Sequence, residues 1–252
     1  MVWQRCGARV ILVWIVLFAL LTPGAGPFAA AAEQRGNAAG EPVYVVPIHQ
    51  TIETGLLQFL KRAFKEAEDA NARHIILDMN TPGGRIDAAE DIGELIRSSK
   101  VPTIAFIHGK AASAGSYIAL NADRIAMEPG STIGAAAVVD LYGNEIENPK
   151  IISHWTGLMK AAAQNSKRNP DIAAGMVDKN IVVDLPALGR TKGQGEILTL
   201  TADEALKVGY AEVIAPGLAD VIAFIGAQEA RIVHFALSPA EKLARFLTDP
   251  VV

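Results

Sequence analysis

Between residues 43 and 214, short runs rich in β-branched residues alternate with longer stretches of helical periodicity. Strands separated by helices of about ten to fifteen residues imply βαβ units and a mostly parallel sheet. Residues 43–48 read as the first strand. Leu56, Leu57, Phe59, Leu60, Ala63, Phe64 and Ala67 then recur at helical spacing between charged residues, an amphipathic helix over 54–70. Residues 74–78 and 102–108 read as the next two strands. Between them Asp87 and Glu90 resemble a capping box for a helix running to 98. Beyond 113 the pattern predicts helices over 114–121, 149–166 and 170–179. It predicts strands over 124–127, 133–139, 197–200, 211–214 and 230–237. Residues 189–195 hold three glycines and two cations and read as a hairpin tip or a mobile loop. Thr201 and Glu204 form another capping box, Gly209 ends that helix, and Pro239 opens a last one.

The first segment has a different character. Arg5 and Arg9 precede twelve apolar residues over 10–21, then come a proline–glycine break and the small residues of 29–32. That is the layout of a secretory signal, with cleavage expected after Ala31 or Ala32. The apolar run is short of the ~20 residues that span a bilayer; an uncleaved anchor is the alternative. Cys6 would leave with the signal, so the mature chain would use neither disulfide nor thiol chemistry. The expected organisation is signal 1–32, linker 33–42, one α/β domain over 43–237, and a C-terminal helical segment 238–252. The apolar ending at Asp249–Val252 is expected to lead into a longer protein. A formal charge of −4 without a basic run argues against nucleic acid as a partner. No metal and no cofactor is called for.

Two turns carry the candidate chemistry. Thr81-Pro82-Gly83-Gly84 and Gly109-Lys110-Ala111-Ala112-Ser113 each follow a strand and open a helix. In a parallel sheet such turns lie on the side where ligands bind. Gly83 and Gly84 let backbone N–H groups approach a ligand closely. Ser113 sits at a helix start, where the N–H of Ala114 has no intrahelical partner. An N–H from Gly84 or Gly83 and one from Ala114 could converge on one oxygen beside the serine, the arrangement that acyl transfer needs. Two ordinary tight turns and a serine N-cap explain the same residues. A serine nucleophile also needs a base. His49 and His74 read as structural or edge residues, His108 could orient the loop, and His154 and His234 carry no local signature. Lys150 opens a helix in an apolar setting, with Lys160 farther along it. A lysine base must be neutral, which burial favours by lowering its pKa from ~10.4.

The segments DMNTPGG (78–84), AASAGSYIAL (111–120), AMEPGSTIGA (126–135) and LTLTADEALKVGYA (198–211) together resemble the NfeD family of membrane-bound serine proteases. These are partners of stomatin-like proteins and distant relatives of the Clp peptidase subunit. The resemblance runs from about Val43 to Ile214. It implies the Clp peptidase/crotonase-like spiral of ββα units. It also implies a Ser–Lys dyad, with Ser113 of the SAG motif as nucleophile and Lys150 of the proline–lysine pair as base. Gly84, with Gly83 beside it, and Ala114 would form the oxyanion hole. The implied activity is an endopeptidase that cleaves apolar stretches of membrane-associated proteins, with a stomatin-like protein as substrate or partner. A homodimer or larger homo-oligomer follows from the same likeness, and the secretory signal implies an exported, extracytoplasmic location, membrane-associated if a longer form carries transmembrane helices. Residues 140–149 and 189–195 are expected to order around a bound peptide. Longer members continue into transmembrane helices and a small β-barrel. The competing readings are a crotonase-like acyl-CoA enzyme, which the SAG serine and export argue against, and a non-enzymatic membrane-assembly partner.

Overall fold

The structure is a computed structural model and describes residues 40–140 and 142–248. The signal and most of the linker lie outside the described residues. The elements in order are β1 (Gly40–His49), α1 (Thr54–Asp69), β2 (His74–Thr81), α2 (Ile86–Arg97), β3 (Thr103–Ala112), α3 (Ala114–Asn121), β4 (Arg124–Met127) and β5 (Thr132–Gly134). There follow α4 (Pro149–Asn165), α5 (Pro170–Val177), β6 (Val183–Leu185), a 3₁₀ turn (Pro186–Leu188), β7 (Arg190–Lys192), β8 (Thr199–Thr201) and α6 (Ala202–Lys207). The last are β9 (Val213–Ile214), α7 (Leu218–Phe224), β10 (Ala230–His234) and α8 (Pro239–Thr248).

The main sheet runs β10-β1-β2-β3-β4-β9, with every neighbouring pair parallel. β5 joins the end of β3 in parallel, and β8 pairs antiparallel with β5. Alternation along the strands sorts the side chains onto two faces. Tyr44, Val46, Ile48, Ile75, Leu77, Met79, Ala105 and Ile107 meet the buried faces of α1, α2 and α3. Val43, Val45, Ile76, Ile104 and Phe106 pack with Val221 of α7 on the other side. Buried on both faces, these strands read as continuous apolar runs.

The helix register follows the expected pattern: Leu56, Phe59, Leu60, Ala63, Phe64 and Ala67 of α1 are all buried. Glu53 caps this helix and receives Nε of Arg245 at 2.8 Å, so α8 is tied to the start of α1. Arg62 also reaches α8, with Nε and Nη2 each 2.7 Å from the Glu241 carboxylate.

Several expectations need correction. α2 begins at Ile86 with Arg85 at its cap and no side-chain cap bond. Asp87 lies inside the first turn instead, paired with Arg85, so no capping box forms there. The strand expected over 133–139 stops at Gly134, because Ala135 takes a positive φ of 49° and turns the chain away. The hairpin tip expected over 189–195 is narrower: Gly189 closes the β6–β7 turn in the left-handed region, Arg190–Lys192 form β7, and 193–195 follow that strand. α7 had no expectation. The box of Thr201 and Glu204 is present as read.

Candidate active site

β3 bulges before its end. Met79 pairs with Ile107, but the next pair is Thr81 with Ala111. Gly109, at φ +114°, lies against Asn80 within this bulge. The last residues of β3 then pair with β5, Ala112 opposite Gly134. Ser113 follows at φ 53° and ψ −125°. A non-glycine residue there is strained, by about 1–3 kcal/mol, and persists only when its surroundings hold it. Here Ser113 N–H donates to Gly134 O at 2.9 Å, and Ser113 O accepts from Ser116 N–H at 2.9 Å. The buried Ser116 hydroxyl donates to Ala111 O at 2.7 Å and accepts from Gly134 N–H at 2.9 Å. Sequence reasoning missed Ser116 as the residue that fixes this turn; its place one helical turn after Ser113 was the available signal. Ser113 stands at the N-cap of α3, yet its side chain makes no capping hydrogen bond. Its hydroxyl, like the Ala114 N–H, has no protein hydrogen-bond partner among the described residues.

The glycine turn lies directly against this serine. A Cβ on Gly83 would stand 2.5 Å from Ser113 Cβ and 3.1 Å from its Oγ. Gly83 N–H is already engaged, donating to Thr81 Oγ1 at 3.1 Å. Gly84 bridges to Ile52, but through its neighbours: Ile52 N–H donates to Gly83 O at 2.8 Å, and Arg85 N–H to Ile52 O at 2.9 Å. Successive N–H groups of extended chain point to opposite sides. Gly84 N–H therefore points away from Ile52, and it has no acceptor among the described residues.

Lys150 lies at the second position of α4, whose cap Asn148 accepts from Lys150 N–H at 3.0 Å. Its side chain is exposed, which corrects the expected apolar burial. No hydrogen bond joins it to Ser113 among the described residues. α4 nevertheless lies against the serine's own helix. Tyr117 and Trp155 rings are 5.2 Å apart, and Trp155 Nε1–H donates to Ala136 O at 2.9 Å. Ser113 lies ~6 Å before Tyr117 along its helix axis and Lys150 ~7.5 Å before Trp155, at 1.5 Å per residue. The C-terminal ends of α2, α3 and α4 share one hollow lined by Arg97, Asn121 and Asn165. Their first turns are accordingly at the other end.

The remaining candidates have other partners. Among the described residues, no histidine hydrogen-bonds Ser113. His49 and His108 both contact Asp78, and His154 contacts Glu90 at 3.0 Å. Lys160 pairs with Asp171 at 3.7 Å. Lys192 is a buried lysine that the sequence did not single out. Burial pushes its pKa down, but its three donors are spent on the carbonyls of Asp178, Lys179 and Ile181 at 3.0, 3.1 and 2.6 Å. It closes the C-terminal end of α5 and has no free proton acceptor role.

A parallel sheet whose strand-to-helix turn presents a strained serine against a glycine turn defines a Clp peptidase-like α/β domain. ClpP1 from Listeria monocytogenes shares the fold, at 20% identity and a TM-score of 0.51 over 69% of this chain and 91% of that one. More specifically, the chain belongs to the NfeD1b family, whose N-terminal domain model matches residues 42–235. It is 42% identical over 99% of its length to membrane protein NfeD1b of Bacillus subtilis. It is 32% identical over 97% of its length to the membrane-bound protease PH1510 of Pyrococcus horikoshii. It spans about half of both, 54% of each. Among solved structures it resembles the 1510-N membrane-bound stomatin-specific protease, as a lysine-to-alanine mutant in complex with a substrate peptide. That match has 31% identity and a TM-score of 0.70, over 82% of this chain and 97% of that one. A serine-to-alanine mutant of 1510-N matches at 31% identity and a TM-score of 0.66, over 79% and 100%. No helix among the described residues is long and apolar enough to cross a membrane.

Proposed function

We propose that this chain is a serine endopeptidase with Ser113 as nucleophile and Lys150 as general base. The observation that carries the reading is the Ser113 backbone: a strained serine whose hydroxyl makes no capping bond, set against Gly83. Neutral Lys150 takes the Ser113 proton, and Oγ attacks the scissile carbonyl. The amides of Gly84 and Ala114 receive the oxyanion, a contribution of about 3 kcal/mol per donor. Gly83, whose amide is already bonded, serves by leaving room for Ser113. Lys150 then protonates the leaving amine, and water releases the acyl group. The serine and lysine substituted in the 1510-N structures are the two residue types of this dyad.

The exposure of Lys150 fits a site completed by its substrate. Val139, Tyr142 and Ile151 are exposed apolar residues in the segment that delivers it. An apolar peptide laid on them would cover the lysine and desolvate it, favouring the neutral base. The likeness to a stomatin-specific protease supports a stomatin-like membrane protein as substrate or partner. A homo-oligomer and an exported, membrane-associated location belong to the same reading. The test is cleavage of apolar peptides by the chain without residues 1–32, against Ser113→Ala and Lys150→Ala. Both variants should lose cleavage, and wild-type activity should rise with pH as the lysine loses its proton. Persistent cleavage by either variant would refute the dyad.

A further inference from the structure

The second face of the sheet carries a side-chain cluster outside the proposed dyad. Its apolar half, Val43, Val45, Ile76, Ile104 and Phe106, packs with α7. The same alternation, continued toward the strand ends, brings His49, Asp78 and His108 to that face from β1, β2 and β3. His49 Nε2 lies 3.2 Å from Asp78 Oδ2, and His108 Nδ1 lies 2.5 Å from Asp78 Oδ1. One atom from each residue falls within 4.8 Å of the other two. The imidazoles meet edge to face at 5.5 Å. The cluster is half-buried, with side-chain exposures of 44, 22 and 36% in the order His49, Asp78, His108.

We propose that His49, Asp78 and His108 form a binding site for a divalent transition-metal ion, zinc in the first instance, with a coordination position open to solvent. Two imidazoles and one carboxylate suit zinc, whereas calcium and magnesium take oxygen donors. Zinc holds such atoms at about 2.0–2.2 Å in a tetrahedron, which sets neighbouring ligand atoms roughly 3.3 Å apart. His49 and His108 contact different oxygens of the Asp78 carboxylate, at 3.2 and 2.5 Å, and one ligand atom from each residue lies within 4.8 Å of the other two. Side-chain rotation about a fixed backbone has to bring the three atoms to the zinc spacing. The ion takes the place of the two imidazole–carboxylate hydrogen bonds: each neutral imidazole ligates through the nitrogen that faces Asp78 and carries its one proton on the other ring nitrogen. The backbones are fixed: the ligands stand on three adjacent paired strands, and Arg245 Nη2 donates to His49 O at 3.0 Å. β2 and β3 run on from Asp78 and His108 into the glycine turn and Ser113, so the ion would pin the strands that deliver both turns. No local motif announces the site, because its ligands are 29 and 30 residues apart.

The test is titration of the metal-stripped full chain with zinc chloride by calorimetry and with cobalt chloride by visible absorption. One ion per chain should bind, with the ligand-field bands of low-coordinate cobalt and a raised melting temperature. His49→Gln and His108→Gln keep a hydrogen-bonding side chain and should fold, yet each should weaken binding by at least about ten-fold. Asp78→Asn should do the same; if it fails to fold, the two glutamine variants decide. Failure of the full chain to take up zinc would overturn the site. So would unchanged affinity in both glutamine variants, which would place any bound ion elsewhere.

Discussion

Gly83 and Ser113 touch across two turns that are 30 residues apart in sequence, so close that residue 83 has no room for a methyl group. Gly83 also holds a φ of +106°, which an L side chain resists. Gly83→Ala is therefore expected to destabilise the fold by about 1–3 kcal/mol and to displace the serine. A displacement near 1 Å should lower peptide cleavage by about 100-fold. Denaturant melts and initial rates read the two effects separately.

Ser113 makes a second, opposite prediction. Its φ of 53° suits glycine better than serine. Ser113→Gly should abolish cleavage while raising stability by about 1 kcal/mol through relief of strain. Ser113→Ala should abolish cleavage without that gain. Comparison of the two melting curves tests whether the serine is kept at the expense of stability, and equal curves would argue against strain.

Trp155 couples α4 to α3. Trp155→Ala removes a fully buried ring and should cost about 3–5 kcal/mol. Trp155→Phe keeps most of the packing against Tyr117 and loses the bond to Ala136 O, about 1 kcal/mol. If α4 positions the base, the phenylalanine variant should lose more cleavage than stability, as rate assays and thermal melts would show.

Much of this was legible in the sequence. α3 and β4 fall where periodicity put them, and the long α1 follows its apolar stripe. The glycine turn and the serine turn were visible as punctuation after strands. Their contact was not, because it depends on the β3 bulge and on the pairing of Ala112 with Gly134, both set by tertiary pairing. The same holds for the His49–Asp78–His108 cluster, which only strand register assembles. The apolar setting inferred for Lys150 failed because sequence neighbours on a helix point to different faces: Ile152 packs against the core while Lys150 is exposed.

The docking of α8 should respond to acid. Arg62 beside Glu241 holds its carboxyl well below the usual range, down to about 2 from 4.5. A depressed folded value means that this pairing stabilises the fold fully above pH 4.5. That stabilisation is lost as pH falls toward the folded value of about 2. Hydrogen exchange of α8 should quicken across that window, and Glu241→Gln should remove the part of the pH dependence that this pair carries.

The most direct test of the account is to trap the acyl intermediate. Wild-type protein is mixed with an apolar peptide substrate, quenched in acid during turnover, digested and mapped by tandem mass spectrometry. The expected result is an acyl adduct on Ser113 and none in Ser113→Ala, with cleavage lost in that variant. Peptide cleavage that proceeds in Ser113→Ala, or an adduct on any other residue, would contradict the assignment of Ser113 as the nucleophile.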